Sequence, residues 1–186
     1  MTTRPSASLL LILSLAALGA CADSNGAPSE LPAAVNRPAR LATGWTSQEA
    51  IVTHALQAFA SHDTMRLQEL LISPEEFSRI LYPELGEHYP AARDQRPEAR
   101  AFIWQNQTAS SRKALRKAMA ELVGKHMTLL SLTFPRGGTR YASYTIYEDP
   151  QVSVRLDDGT TAEMTALGSI VEIDGSYKLL SYRDRD

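Results

Sequence analysis

Residues 161–182, TAEMTALGSIVEIDGSYKLLSY, carry the pattern that decides the fold of this 186-residue chain. Polar and apolar residues alternate over much of the stretch, which is typical of a β-strand with one buried face. The dipeptide Asp174-Gly175 is a strong signal for a two-residue hairpin turn. The stretch therefore predicts one long strand over 161–173, bent or bulged at Gly168, and a last strand that returns over 177–182.

The alternating pattern continues upstream, back to the glycine at position 124. Turns are expected at 135–138 and 157–159, where proline, glycine and aspartate cluster. Strands are expected on either side of these turns: one with Leu130, Leu132 and Phe134 on a shared face, one over 141–147, and one with Val152, Val154 and Leu156 on a shared face. The last third of the chain is thus predicted to be an antiparallel meander.

Helix-start signals occupy the residues before that glycine. Thr46 followed by Glu49 matches a capping box, and apolar residues recur behind it at helical spacing to about residue 61. Asp63 is placed to cap a short second helix. Residues 73–76, SPEE, combine a capping serine, a proline at the first helical position and a glutamate three residues after the cap. Pro83 is expected to help end that third helix.

Two more helices are expected after a predicted loop over 86–96. One begins at Pro97 or its neighbour and carries Trp104. The other runs from about 110 to 123, and Gly124 is well placed to stop it.

Helices first and strands after predict an α+β fold, with the N-terminal helices packed on a curved antiparallel sheet of four to five strands. The opening helix over 46–61 and the bent strand and hairpin over 162–182 resemble the nuclear transport factor two-like superfamily, also called the cystatin-like cone. The resemblance implies a conical pocket between sheet and helices. It also implies a range of functions, since some members are isomerases or dehydratases and many only bind.

An apolar run over residues 9–18 precedes the domain and leads to the only cysteine of the chain. Its length of about ten residues is below the roughly 20 that span a bilayer, and fits a secretory signal peptide. The residues Leu18-Gly19-Ala20-Cys21 resemble the lipobox of bacterial lipoproteins. This resemblance implies cleavage before Cys21, fatty acylation of its thiol and attachment to a membrane. The alternatives are an ordinary secretory signal with a chance cysteine and a buried N-terminal helix.

The lipobox resemblance divides the chain into a signal peptide over 1–20, a lipidated N-terminus and disordered tether over 21–44, and a single α+β domain over 45–186. The tether is rich in alanine, proline and serine and has no apolar period. The expected location is the bacterial cell envelope, with the domain facing the periplasm. Ala22, directly after the cysteine, favours the outer membrane over the inner one.

The charge balance argues against nucleic acid as a partner. The chain has 19 lysines and arginines against 21 aspartates and glutamates, a net charge of -2. Nucleic-acid-binding domains generally carry a basic excess. Because Cys21 is the only cysteine, the domain can form no internal disulfide, and its stability must come from packing.

Four residues are candidate ligand contacts. Trp104 and Gln107 could line the mouth of a pocket, where an aromatic ring and an amide hold a polar ligand. Tyr144 and Glu163, on the predicted strands, could reach the same pocket. The alternatives are core packing for the tryptophan and a solvent-facing position for the glutamate.

A basic flank is predicted on the last helix, beside its apolar stripe. It consists of Arg112, Lys113, Arg116 and Lys117. Such a flank could contact anionic lipid headgroups or an acidic partner. An ordinary solvated helix face is the alternative.

No residue pattern names a reaction. The histidines at positions 54, 62, 88 and 126 lack ligand spacing, so no metal is predicted, and neither a cofactor nor a catalytic residue is assigned. The predicted function is a binding or accessory module for a small molecule or an envelope protein. The alternatives are a pocket enzyme of the ketosteroid isomerase or dehydratase type, for which Glu163 and Glu172 would be the candidate bases, and an envelope scaffold.

Overall fold

The computed structural model describes residues 40–184. The predicted signal peptide, Cys21 and most of the predicted tether lie outside this range. Helices come first and strands follow, and every strand pair is antiparallel. The predicted α+β class is confirmed.

The helices are α1 (Gln48–Ala60), α2 (Thr64–Glu69), α3 (Pro74–Glu76), α4 (Tyr82–Leu85) and α5 (Pro97–Leu122). A π-helical segment, Phe77–Leu81, joins α3 to α4, so residues 74–85 form one continuous helix. A short 3₁₀ helix, Pro90–Arg93, lies within the predicted loop.

Two predicted helix caps are confirmed and one is wrong. The Asp63 side chain accepts from the Arg66 backbone N–H at 2.9 Å, and Ser73 and Glu76 form a complete capping box. At α1 the cap is Ser47 and not Thr46, because the extended backbone of Ser47 lets its hydroxyl accept from the Ala50 N–H.

The third helix, predicted over 73–85, is confirmed, and Pro83 lies inside it, two residues before its end at Leu85. A proline ring inside an α-helix clashes with the carbonyl four residues earlier. Here the π-helical turn Phe77–Leu81 lies directly ahead of it and widens the backbone spiral, so the helix continues to Leu85.

The two helices expected over 97–123 are a single one, the 26-residue α5. No residue of its first half is fully buried, although Ile103 and Trp104 are half-buried and pack against apolar neighbours, so the apolar period there is weak. Its end is as predicted: Gly124 adopts a left-handed backbone with φ of 74° just after the last turn.

Within residues 40–184, seven short strands form two sheets, in place of one sheet of four to five strands. The first sheet has the order β1-β4-β5, with β1 Met127–Thr133, β4 Gln151–Leu156 and β5 Thr161–Met164. The second has the order β2-β3-β6-β7, with β2 Gly138–Arg140, β3 Thr145–Tyr147, β6 Ile170–Ile173 and β7 Ser176–Leu179.

The predicted long strand over 161–173 is divided between the two sheets at Gly168. The Gly168 N–H donates to the Ser181 carbonyl at 2.9 Å, and a Cβ at this glycine would lie 2.3 Å from the Ser181 hydroxyl. Glycine is therefore needed for a close approach of two backbones, and the chain changes sheets there. The hairpin at Asp174-Gly175 is confirmed, with positive φ at both residues.

In β1 the pairing register shifts between Leu129 and Ser131. Leu130 sits at this bulge and is 40% exposed, whereas Leu129, Leu132 and Phe134 pack against the core. The expectation that Leu130 shares the face of the other two is wrong, because one extra residue reverses the alternation.

The interior consists of two apolar clusters. The larger one joins α1 and the second half of α5 to the first sheet and includes Phe59, Leu115 and Val154. The smaller one lies between the 74–85 helix and the second sheet and includes Phe77 and Tyr144. The first half of α5 lies beside this smaller cluster, where the candidate site is found.

Candidate functional site

Helix α5 is packed unequally along its length, and two clefts open beside it. Its buried residues all lie between Ser111 and Met119, and no residue from 97 to 110 is buried. A cleft of about 770 Å³ lies between this half, the 74–85 helix and strands β2 and β3. A second cleft, of about 670 Å³, lies between α5, residues 68–76 and β7. We call them the aromatic cleft and the ionic cleft.

The aromatic cleft is lined by five rings together with aliphatic side chains. The rings are Phe77, His88, Tyr89, Phe102 and Tyr141. Three of them are exposed to solvent: Tyr89 is 49% and Phe102 64% exposed, and His88 is exposed as well. A concave site of this volume, mostly apolar with a few polar groups, has the usual character of a small-molecule pocket.

Three packed rings hold one wall of the aromatic cleft in place. The His88 ring meets Tyr141 edge to face at 4.9 Å between centroids, and Tyr141 stacks on Tyr144 at 4.4 Å. The Tyr144 hydroxyl donates at 2.8 Å to the Leu81 carbonyl of the 74–85 helix. Burial raises the pKa of both tyrosines, so their hydroxyls stay neutral. This wall is therefore fixed to the helix opposite before any ligand arrives.

The charged groups of the aromatic cleft are acidic. Asp94 and Glu148 line it, and no lysine or arginine does so within residues 40–184. Asp94 is held by Arg96, whose side-chain hydrogen bonds and backbone N–H lower the pKa of Asp94 to about 2. Glu148 is exposed and forms no ion pair with any described residue. Its neighbour Asp149 pairs with Arg136 and Arg183, and these two arginines line a smaller adjacent pocket together with Glu148.

The ionic cleft is built around a buried ion pair. The Lys178 ammonium lies 3.0 and 2.9 Å from the two carboxylate oxygens of Glu76, and both side chains are less than 7% exposed. The same carboxylate accepts the backbone N–H of Ser73 at 2.8 Å and of Ala42 at 2.9 Å. Four donor contacts thus converge on one carboxylate.

Two opposing influences act on the pKa of Glu76. Burial is the larger single influence and would raise the pKa, because it penalises the charged form. The Lys178 hydrogen bonds and the N–H groups of Ser73 and Ala42 together outweigh it, and the pKa is lowered. Glu76 is therefore an anion whose charge is used inside the protein, and it is not available as a base.

The four candidate ligand contacts are not brought together. Trp104 lines the ionic cleft and packs on Phe77 at 4.9 Å between ring centroids. Gln107 lines the aromatic cleft and donates to the Leu180 carbonyl at 3.2 Å. Tyr144 is buried behind Tyr141, in the wall of that cleft.

Glu163 lies apart from these three, exposed on β5 of the first sheet. The Trp104–Phe77 contact separates the two clefts, because each ring lines a different one.

The predicted basic flank is exposed at three of its four positions. Arg112, Lys113 and Arg116 are exposed, and Arg112 lines the edge of the ionic cleft. Lys117 is half-buried and pairs with Asp184 at 2.5 Å. Three side chains thus present positive charge to solvent beyond the aromatic cleft.

Within residues 40–184, no three histidine, cysteine or acidic side chains lie close enough to hold a metal ion. The same residues contain no helix long and apolar enough to cross a membrane. Cys21 lies outside the described range.

Several cleft residues carry no distinctive signal in the sequence. The sequence pattern predicts Phe77 and Tyr141 only as core and strand residues, and it does not distinguish Glu148 from other acids. The only sequence feature that could have indicated the cleft is the clustering of aromatic residues at 88–89 and 141–147. Hydrophobic periodicity does not distinguish such rings from ordinary core residues. Glu76 is predicted only as part of a helix cap, and nothing local links it to Lys178.

Comparison of the chain with protein-family models, with curated protein sequences and with solved structures gives no match.

Proposed function

We propose that this chain is a lipid-anchored protein of the bacterial cell envelope whose domain binds a small molecule in the aromatic cleft. The lipobox-like residues 18–21 support the anchor on Cys21. The tether that follows would place the domain in the periplasm, at the outer membrane in preference to the inner one. The observation that carries the binding function is the aromatic cleft, in which two large rings, Tyr89 and Phe102, are exposed.

Exposed aromatic side chains around a cavity favour the binding of a ligand. Large apolar side chains left open to water gain free energy when a ligand covers them, about 25 cal/mol per Å². The cleft wall is already fixed by the Tyr144–Leu81 hydrogen bond, so binding would cost little ordering of side chains. The exposed rings and the fixed wall both favour the interpretation of the cleft as a ligand-binding site.

We also propose that the fold is a variant of the nuclear transport factor two-like cone. An opening helix, a terminal hairpin and a cleft between helices and sheet support this assignment. The division into two sheets at Gly168 would be the departure of this chain from the cone.

The predicted bases Glu163 and Glu172 give the enzyme alternative no support. It requires a carboxylate base and a tyrosine donor at one pocket. Glu163 belongs to the first sheet, whereas Tyr144 directly precedes β3 of the second. Glu172 already accepts a hydrogen bond from Tyr147 at 2.7 Å. The binding function is therefore the proposal we retain, and an envelope scaffold that meets proteins becomes an outcome of the test.

Native mass spectrometry of the full chain, purified in mild detergent from its own host, tests the binding function. We expect an extra mass of a few hundred daltons that is lost in an Ala99→Trp variant, because Ala99 lines the cleft. Ala109→Trp is the matched control, on an exposed position of the same helix that lines neither cleft. A bare chain would contradict the proposal, and a reproducible protein complex would favour the scaffold.

A further inference from the structure

The two carboxylates that line the aromatic cleft are Asp94, which pairs with Arg96, and Glu148, and no lysine or arginine of residues 40–184 lines it. Glu148 has no ionic partner among residues 40–184, and Glu87 lies close enough to act on the same tyrosine. Burial, followed by the charges of Glu148 and Glu87, raises the pKa of Tyr141. The hydroxyl of a ring that lines the cleft therefore sits in a negative potential.

The rings of the cleft add to this potential. The face of an aromatic ring carries partial negative charge and attracts ammonium groups within about 6 Å of its centroid. Tyr89, Phe102 and Tyr141 offer such rings on different walls of one cavity, on the loop after the 74–85 helix, on α5 and next to β2. Rings on separate walls can surround a cationic head while aliphatic side chains cover an apolar body.

No basic residue of α5 lines the aromatic cleft, although Arg100 directly follows the lining residue Ala99. Arg112 and Arg116 lie in the second half of the helix, and neither lines the aromatic cleft. In the ionic cleft, by contrast, Lys178 and Arg112 are balanced by Glu76 and Glu69. The two cavities beside α5 thus differ in charge, and only the aromatic one has an acidic lining without a basic residue.

We infer that the ligand of the aromatic cleft is an organic cation, a quaternary or protonated amine carried on an apolar body. This inference rests on the proposed small-molecule function and names the chemistry of its ligand. Glu148 supplies the opposite charge at the edge, and the rings supply cation–π contacts. A cavity of about 770 Å³ has room for a body larger than the charged group alone.

Three probes of similar size and different charge test the inference on the full chain in non-ionic detergent. They are benzyltrimethylammonium, neutral N,N-dimethylbenzamide and anionic phenylmethanesulfonate. Amide NMR signals of the cleft-lining residues give the dissociation constants. We expect the cation to bind about ten-fold more tightly than the neutral probe, and the anion to leave the signals unchanged.

Matched variants assign the effect to named side chains. Glu148→Gln should weaken cation binding about five-fold and leave the neutral probe unaffected, whereas Glu163→Gln, at an exposed carboxylate outside the cleft, should change neither. Phe102→Leu keeps the apolar surface but removes the ring, and should weaken the cation about three-fold. Phe102 is exposed, so this variant should fold normally.

Equal affinity for cation and neutral probe, with no effect of Glu148→Gln, would overturn the inference. The native mass measurement decides the proposed function separately. If Ala99→Trp abolishes the extra mass but the cation binds no better than the neutral probe, the protein binds a small molecule in the cleft. Only the claim that this ligand is a cation would then be wrong. If native mass spectrometry shows no extra mass, both the binding function and the inferred cationic ligand would be wrong.

Discussion

Lys178 of β7 and Glu76 of the 74–85 helix form an ion pair across 102 residues of sequence, with both side chains almost fully buried. Through the Ala42 N–H, the same carboxylate also holds the segment that leads into α1. One anion therefore ties together the second sheet, a helix N-terminus and the start of the described domain.

Breaking this pair should destabilise the domain strongly. In Lys178→Met the Glu76 charge stays buried without its cation, which typically costs about 3–5 kcal/mol in the free energy of unfolding. Urea denaturation followed by circular dichroism measures the loss. Arg79→Met is the control, because the Arg79–Glu75 pair is exposed and should contribute less than about 1 kcal/mol. An equal loss in the free energy of unfolding for the two variants would show that the buried pair stabilises the domain no more than the exposed one.

The pH dependence of stability should reveal the ionised state of Glu76. Because its pKa is lower in the folded than in the unfolded protein, its contribution is present above the ordinary glutamate pKa of 4.5 and is lost as the pH falls further. The stability difference between wild type and Glu76→Gln should therefore shrink when the pH is lowered from 7 to 3. Glu75→Gln, at the exposed neighbour, should show little such change. A difference for Glu76→Gln that is constant with pH would contradict this account.

The change of sheet at Gly168 requires the absence of a side chain. Gly168→Ala would place a methyl group 2.6 Å from the Ser181 carbonyl oxygen, so the backbone must shift. We expect a loss of about 1–3 kcal/mol in the free energy of unfolding. Thermal and urea denaturation measure it, with Ser169→Ala as the neighbouring control. A loss as small as that of the control would mean that the two segments are not in close contact.

Local signals predicted the local structure well. The Asp174-Gly175 turn and the capping box at residues 73–76 depend on neighbouring residues only, and both are confirmed. The division of α5 into two predicted helices failed because its first half is only half-buried, so its apolar period is too weak to connect it to the second half. The bulge at Leu130 and the close contact at Gly168 depend on residues that are distant in the sequence. The alternation of polar and apolar residues therefore could not predict either feature.

The candidate site could be predicted only in part. Gln107 was expected beside a pocket and does line the aromatic cleft. The other walls come from the loop after α4 and from the hairpin of β2 and β3, which are brought together by tertiary packing. In the sequence, Glu148 directly follows a strand, a position typical of solvent-facing acidic residues. Its place in the cleft lining depends on rings that come from other parts of the chain.

The membrane anchor is tested by Cys21→Ser. If Cys21 is acylated, the wild-type chain should fractionate with membranes and require detergent for release, because two or more acyl chains hold a protein stably on a bilayer. The variant should lose the mass of the acyl chains in an intact-mass spectrum. Ser24→Ala, three residues further along, is the control and should keep them. An unmodified Cys21 in the mature wild type would contradict the anchor.

The most direct test of the central claim uses the four phenylalanines of the chain. Phe77 and Phe102 line the aromatic cleft, whereas Phe59 and Phe134 belong to the other apolar cluster. With fluorophenylalanine at all four positions, each ring gives its own ¹⁹F signal, assigned by single replacements. Adding a small-molecule extract of the host should shift the Phe77 and Phe102 signals and leave the other two in place. No shift at either cleft residue, or equal shifts at all four, would contradict a ligand site in the aromatic cleft.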